Sequence, residues 1–183
     1  MHATLPLLQH SDFPALRRAR LETLQVNVGY LCNQSCLHCH VNAGPKRTEI
    51  MDADTVDDIL RFLDRSDLRV LDLTGGAPEL NPHFRKLVLA ARAHGLDVID
   101  RCNLTVLLVP GQEDTAAFLA DNQVKIVASM PCYIEVNVDA QRGDGTFVDS
   151  LTALRRLNEL GYGKAGSGRV LDLVYNPQGP VLP

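Results

Sequence analysis

No excess of basic charge marks this chain. Its 18 Lys and Arg face 22 Asp and Glu, for a net charge of -4 over 183 residues. That balance leaves no electrostatic footprint for nucleic acid, so no nucleic-acid partner is expected. No apolar run approaches the roughly 18 residues of a membrane span, and no membrane partner is expected either. The start, "MHATLPLLQHSDFP", lacks a basic segment followed by an apolar block, so no secretory signal is read there. A disulfide framework is missing too: the cysteines number five, an odd count, and three of them crowd within eight residues. Metal-bound thiolates in a reducing cytoplasm are the expectation. "GYGKAGSGR" (161–169) lacks the G-K-[ST] ending of a phosphate loop and precedes a strand, so it reads as a helix-to-strand connection.

What is present is an alternation of strand and helix. "LETLQVNVGYL" (21–31) reads as a first strand. "DADTVDDILRFLDR" places Val56, Ile59, Leu60 and Leu63 on one helical face. "RVLDLTGG" is a short strand, after which Asn81 is expected to cap a helix that Gly95 ends. "LDVIDRCN", "TAAFLADN", "VKIVASM", "FVDSLTALRRLNEL" and "RVLDLVYN" continue the pattern to a fifth strand. Strands apolar on both faces and alternating with helices imply a parallel α/β sheet, either a partial (β/α) barrel or a doubly wound layout. In both, reactive groups gather beyond the C-terminal strand ends. Residues 1–20 read as an N-terminal extension, with Arg17, Arg18 and Arg20 on a solvated helix face, and 21–183 as the core. A complete barrel needs about 250 residues. A partial barrel, or a fragment truncated after its fifth strand, is therefore expected.

The functional signal lies in "GYLCNQSCLHCHVNAGPKRTE" (29–49). Cys32, Cys36 and Cys39 are spaced C-x3-C-x2-C, interleaved with His38 and His40. A structural zinc site closes with four ligands, and either histidine is available as the fourth. Inert buried cysteines fit poorly beside polar Asn33, Gln34 and Ser35. Three thiolates can instead hold three irons of a [4Fe–4S] cluster, leaving the fourth iron open for a ligand.

This loop, placed after a first strand, resembles that of the radical S-adenosylmethionine (SAM) superfamily. The resemblance implies a partial or full (β/α) barrel, a [4Fe–4S] cluster on Cys32, Cys36 and Cys39, and SAM bound at the open iron. One-electron reduction then yields methionine and a 5′-deoxyadenosyl radical, with an electron donor such as flavodoxin or ferredoxin as partner. His38 stands where an aromatic residue usually meets adenine. "LTGGAPE" resembles the segment that receives the methionine end of SAM, through Gly75 and Gly76. Ala77 replaces the usual glutamate, and the carboxylate arrives at Glu79. Ser129, and Asn176 beyond the fifth strand, stand where the SAM sugar is met, and Arg142 and Asp144 are candidates to orient SAM or substrate.

A narrower resemblance rests on "CNQSCLHCHVNAGPKR", "LTGGAPELNPHFR", "DRCNLT", "PCY", "QRGDGTF" and "VYNPQGP". Together they look like the arsenosugar biosynthesis (ArsS-like, radical SAM/Cys-rich) family, whose Cys-rich C-terminal region has no counterpart here. The implied small-molecule substrate is a methylated trivalent arsenical, joined to the 5′-deoxyadenosyl group through a carbon–arsenic bond. Cys102 and Cys132, expected at the ends of strands three and four, are soft donors suited to such a centre.

Overall fold

The computed structural model describes residues 4–14, 17 and 19–177. Arg18 of the basic cluster and residues 178–183 of the proline-rich end lie outside them. A four-residue helix α1 (Leu5–Leu8) comes first. Arg17, Ala19 and Arg20 are not helical. Arg20 instead reaches the Asp67 carbonyl at 3.2 Å, so the expected helix face is absent there.

Five strands, β1 (Thr23–Asn27), β2 (Val70–Thr74), β3 (Asp97–Asp100), β4 (Lys125–Ser129) and β5 (Leu171–Val174), form one parallel sheet in that order. A doubly wound sheet reverses its strand order at a switch point. This sheet never reverses, and sequential order is that of a barrel wall. Helices α2 (Ala53–Leu63), α3 (Phe84–Ala93), α4 (Thr115–Asp121), α5 (Glu135–Arg142) and α6 (Thr146–Glu159) occupy the connections. Single 3-10 turns follow β2 (Pro78–Leu80) and β3 (Thr105–Leu108).

The two sheet faces differ. Register places Val26, Leu73, Asp100 and Ile126 on the helix-covered face, all buried. The opposite face carries Gln25, Asp72 and Arg101. Gln25 donates to Asp72 at 3.0 Å, and Arg101 forks onto the same carboxylate at 2.8 and 2.7 Å. The sheet is therefore not apolar on both sides as expected: its concave side is a polar barrel interior, left open because among the described residues β1 and β5 are both edges.

Local chemistry explains the helix limits. Asp52 caps α2 by accepting from the Thr55 amide at 2.9 Å, as Asp at that position commonly does. Val56 and Leu63 of its apolar face are buried. Gly95, at φ +76°, ends α3 as expected. Asn81 caps the entry to that helix as expected: its Oδ1 accepts from the His83 amide at 2.8 Å, one residue before the regular helix begins. Its amide reaches back to the carbonyls of Val28 and Met51, at 2.8 and 3.2 Å, tying both ends of the cysteine loop to the turn after β2.

Candidate functional site

β1 does not stop pairing where its regular strand ends. The ladder with the β2 exit continues through Val28 N–H to Thr74 O, Gly76 N–H to Gly29 O and Ala77 N–H to Leu31 O, each at 2.9 Å. Such close approach requires the paired glycines. A Cβ on Gly75 would lie 2.5 Å from the Gly29 carbonyl oxygen, and one on Gly76 would lie 2.3 Å from that of Leu31. Gly75 also sits at φ +141°, which side-chain-bearing residues rarely adopt. The glycines thus seat the segment that delivers Cys32.

The polar spacers between the cysteines are tethers. Asn33 donates to Thr105 Oγ1 at 2.8 Å, and Gln34 to Thr146 Oγ1 at 3.1 Å. The Leu37 amide donates to Gln141 O at 2.9 Å. Asn103 approaches from the far side of the loop. Its amide donates to Cys32 Sγ at 3.3 Å and to Asn33 Oδ1 at 2.7 Å. Asn103 is aimed by a γ-turn centred on Leu104 (φ +68°, ψ -54°), closed by Thr105 N–H to Asn103 O at 2.9 Å.

Cys32, Cys36, Cys39, His38, Gly75, Gly76, Ser129 and Asn176 all line one cavity of about 310 Å³ at the C-terminal ends of the strands. That is within the range of small-molecule pockets. Burial, opposed by the Asn103 contact, pushes the Cys32 thiol up. Burial, then the nearby Arg142 charge, pulls His38 down, so its imidazole is held neutral. His38 Nδ1 is buried without a partner.

Of the two residues expected to orient SAM or substrate, only Arg142 reaches the cavity; it is the last residue of α5 and is 4% exposed. It donates to the Ser129 carbonyl, to Gln34 Oε1 and, at 2.8 Å, to Asn103 O. Its Nε has no partner. Asp144 is exposed and does not line the cavity. Among the described residues no carboxylate lines the cavity. α5 itself escaped the sequence reading: "EVNVDAQR" has β-branched and Asn residues of modest helix propensity and little apolar face. The one usable signal for Arg142 was its position just before a glycine.

Three expected site residues lie elsewhere. Glu79, carried by the 3-10 turn, is buried away from the cavity. Cys102 is fully buried, because strand parity gives the concave side to Arg101 and turns the next residue toward the helices. Cys132 is buried beside α5, where Asn137 donates to its Sγ at 3.5 Å and holds the thiol below its ordinary pKa. The soft-donor argument for an arsenical pocket therefore loses both of its cysteines.

Among the described residues, one trio of acidic, thiol or imidazole groups gathers its ligand atoms within 4.8 Å of one another: Glu79, Asp100 and Cys102, not the loop cysteines. Thiolates bound to one zinc at about 2.3 Å sit about 3.8 Å apart. Loop thiols set wider than that suit a multi-iron cluster, whose three protein-bound irons each take one thiolate.

A sequence model of the radical SAM superfamily matches residues 26–177. The chain belongs to the radical SAM superfamily. The cofactors of that superfamily are a [4Fe–4S] cluster and SAM, and this chain carries the superfamily's enzyme core. Among curated relatives, the mycofactocin maturase MftC of Mycobacterium ulcerans is 32% identical over 137 residues, 74% of this chain and 36% of that protein. The mycofactocin maturase of Mycolicibacterium smegmatis is 31% identical over 134 residues, 73% of this chain and 33% of its own length. The chain thus spans about a third of the length of these relatives. Of solved structures, Streptococcus suis SuiB bound to S-adenosylmethionine shares the fold with a TM-score of 0.65. It is 16% identical, over 84% of this chain and 33% of that one. The anSMEcpe enzyme with bound AdoMet gives a TM-score of 0.62 at 22% identity, over 86% and 43%.

Proposed function

We propose that this chain reductively cleaves SAM to a 5′-deoxyadenosyl radical at the cavity beyond β1–β5. The observation that carries the reading is the convergence of three loop thiols, the paired glycines and a buried, acid-free Arg142 on one cavity. Cys32, Cys36 and Cys39 hold the cluster, which when loaded supplies the electron that breaks a carbon–sulfur bond of SAM. The turn at Gly75 and Gly76 receives the methionine end. Arg142, whose present acceptors are all neutral oxygens, faces its carboxylate. Ser129 and Asn176 meet the sugar, and neutral His38 offers its unpartnered ring nitrogen to adenine. Asn176 is fixed for this by donating to Gln141 Oε1 at 2.9 Å. Anaerobic reconstitution with iron and sulfide, reduction and SAM should release 5′-deoxyadenosine. A Cys36→Ala chain should release none, and equal release from both would overturn the reading.

For the substrate, we favour a methylated trivalent arsenical. The six motif segments that resemble the arsenosugar family extend beyond the cysteine loop into every strand end. A second reading, a peptide substrate, is favoured by the maturase relatives. Those relatives match in the core, which the superfamily shares across substrates, so the match alone does not choose. Incubation with SAM and reductant, separately with dimethylarsinous acid and with a precursor peptide, distinguishes them by the mass of the product. A deoxyadenosyl–arsenic adduct supports the first reading, and a peptide altered in mass without any adduct supports the second.

A further inference from the structure

On the helix-covered side of the sheet, away from the cavity, lies a polar cluster that the proposed reaction does not use. Glu79 comes from the 3-10 turn after β2, Asp100 from the end of β3, and Cys102 from two residues beyond it. Their ligand atoms lie within 4.8 Å of one another. Glu79 is 5% exposed, and Asp100 and Cys102 are fully buried. All four carboxylate oxygens are buried without a hydrogen-bond partner.

Buried carboxylates normally carry a cationic or hydrogen-bonding partner, because an unpaired charge there costs several kcal/mol or more. Among the described residues no side chain from outside the trio takes that role; Glu79 has only Asp100 and Cys102 to share a proton with. Asp72, the nearby carboxylate with an arginine, faces the other side and holds Arg101 there. Tyr162, whose hydroxyl feels both Asp100 and Cys102, donates its proton to the Val124 carbonyl at 2.8 Å. Cys102 Sγ accepts the Leu104 amide at 3.3 Å, but burial and the two carboxylates beside it keep the thiol protonated while no cation is bound.

We propose that Glu79, Asp100 and Cys102 form a structural site for one thiophilic divalent cation of the zinc class, distinct from the cysteine-loop cavity. The donor set selects the ion. Calcium and magnesium require six or more oxygen ligands or retained waters, and a thiolate is a poor donor to either. Two carboxylates and a thiolate match zinc, with a fourth position for water or a backbone oxygen. On binding, the thiol and any protonated carboxyl release their protons, and the cation replaces them as the neutralising charge. Without the cation, burial and mutual repulsion push Asp100 and Cys102 well above their ordinary ranges. A bound ion would pin the turn after β2 to the end of β3, next to the γ-turn that aims Asn103 at Cys32.

The test uses the full chain with Cys32, Cys36 and Cys39 all changed to Ala, so that loop thiols take no metal. Purified from zinc-supplemented cells, it should hold about one zinc per chain. Its zinc X-ray absorption should show one sulfur near ~2.3 Å and oxygens near ~2.0 Å. Asp100→Asn in the same background should lose that zinc. A zinc-free chain, a shell without sulfur, or full zinc retention by Asp100→Asn would each overturn the proposal. Should the triple variant fail to fold, crystals of the unaltered chain grown with zinc give the answer. Anomalous difference maps across the zinc edge should peak between these three residues, and an empty position there overturns it. None of these outcomes bears on SAM cleavage, since the site shares no residue with the cavity.

Discussion

Arg142 combines a permanent charge with nearly complete burial and no acidic partner, and that combination is what ties it to a ligand. Its three acceptors are neutral, so the charge is solvated by dipoles and held ready for an anion. Arg142→Lys keeps the charge but loses the planar fork. Losing one charge-assisted bond costs about 1.5–3 kcal/mol, so SAM should bind roughly 10- to 100-fold more weakly to the cluster-loaded chain by equilibrium dialysis. Unchanged far-ultraviolet circular dichroism would separate this from a folding defect. Glu49 gives a pH prediction. Arg47, itself stacked 4.8 Å over the Tyr30 ring, holds the Glu49 carboxyl down to about 2. A folded value below the ordinary one makes the pair stabilising above about pH 4.5, and that gain disappears as pH falls toward 2. Glu49→Gln should therefore lower the melting temperature slightly at pH 7 and match the parent near pH 2, as followed by thermal denaturation.

At the scale of elements, the decisive contact is the extended β1–β2 ladder that carries Cys32 into place. Gly76→Ala puts a Cβ against the Leu31 carbonyl oxygen, and overpacking of this kind costs about 1–3 kcal/mol. The loop should shift before the fold fails. Iron bound after reconstitution should fall well below the parent's while the unfolding midpoint moves only a few degrees. The sequence made these glycines visible but showed only one of their neighbours: "TGG" reads as a place for ligand, and the structure adds that the Gly29 and Leu31 carbonyls occupy the space a Cβ would need. The same limit explains the other departures. Apolar residues exposed the five strands and α2, α3, α4 and α6; each of those helices buries a regular stripe, whereas β5 is legible by its apolar composition although most of it stays exposed. It missed α5, whose buried residues include Gln141 and Arg142 and whose apolar face is slight. Cysteine spacing located the loop. The sidedness of Cys102 depended on where β3 ends relative to its neighbour, a matter of register that no single segment contains.

Over the described residues the sheet is an open wall with two edges. There β5 pairs only with β4, and Leu173 and Val174 are 55% and 45% exposed. An unpaired apolar edge is a template for association. Leu173→Lys, on the side of β5 away from the cavity, should reduce light scattering on warming and leave 5′-deoxyadenosine release unchanged. Within that wall the thiols are carried by a seat that does not depend on them. Ladder bonds to Gly76 and Ala77, the Asn33 and Gln34 amides and the Asn81 clasp all close without sulfur. Small zinc domains differ, because there metal binding and folding are one event. The berth is therefore expected to persist in a chain that lacks its cluster, so that reloading calls for iron and sulfide but no renewed folding; equal amide-exchange protection of residues 28–31 and 74–77 with and without the cluster would check it.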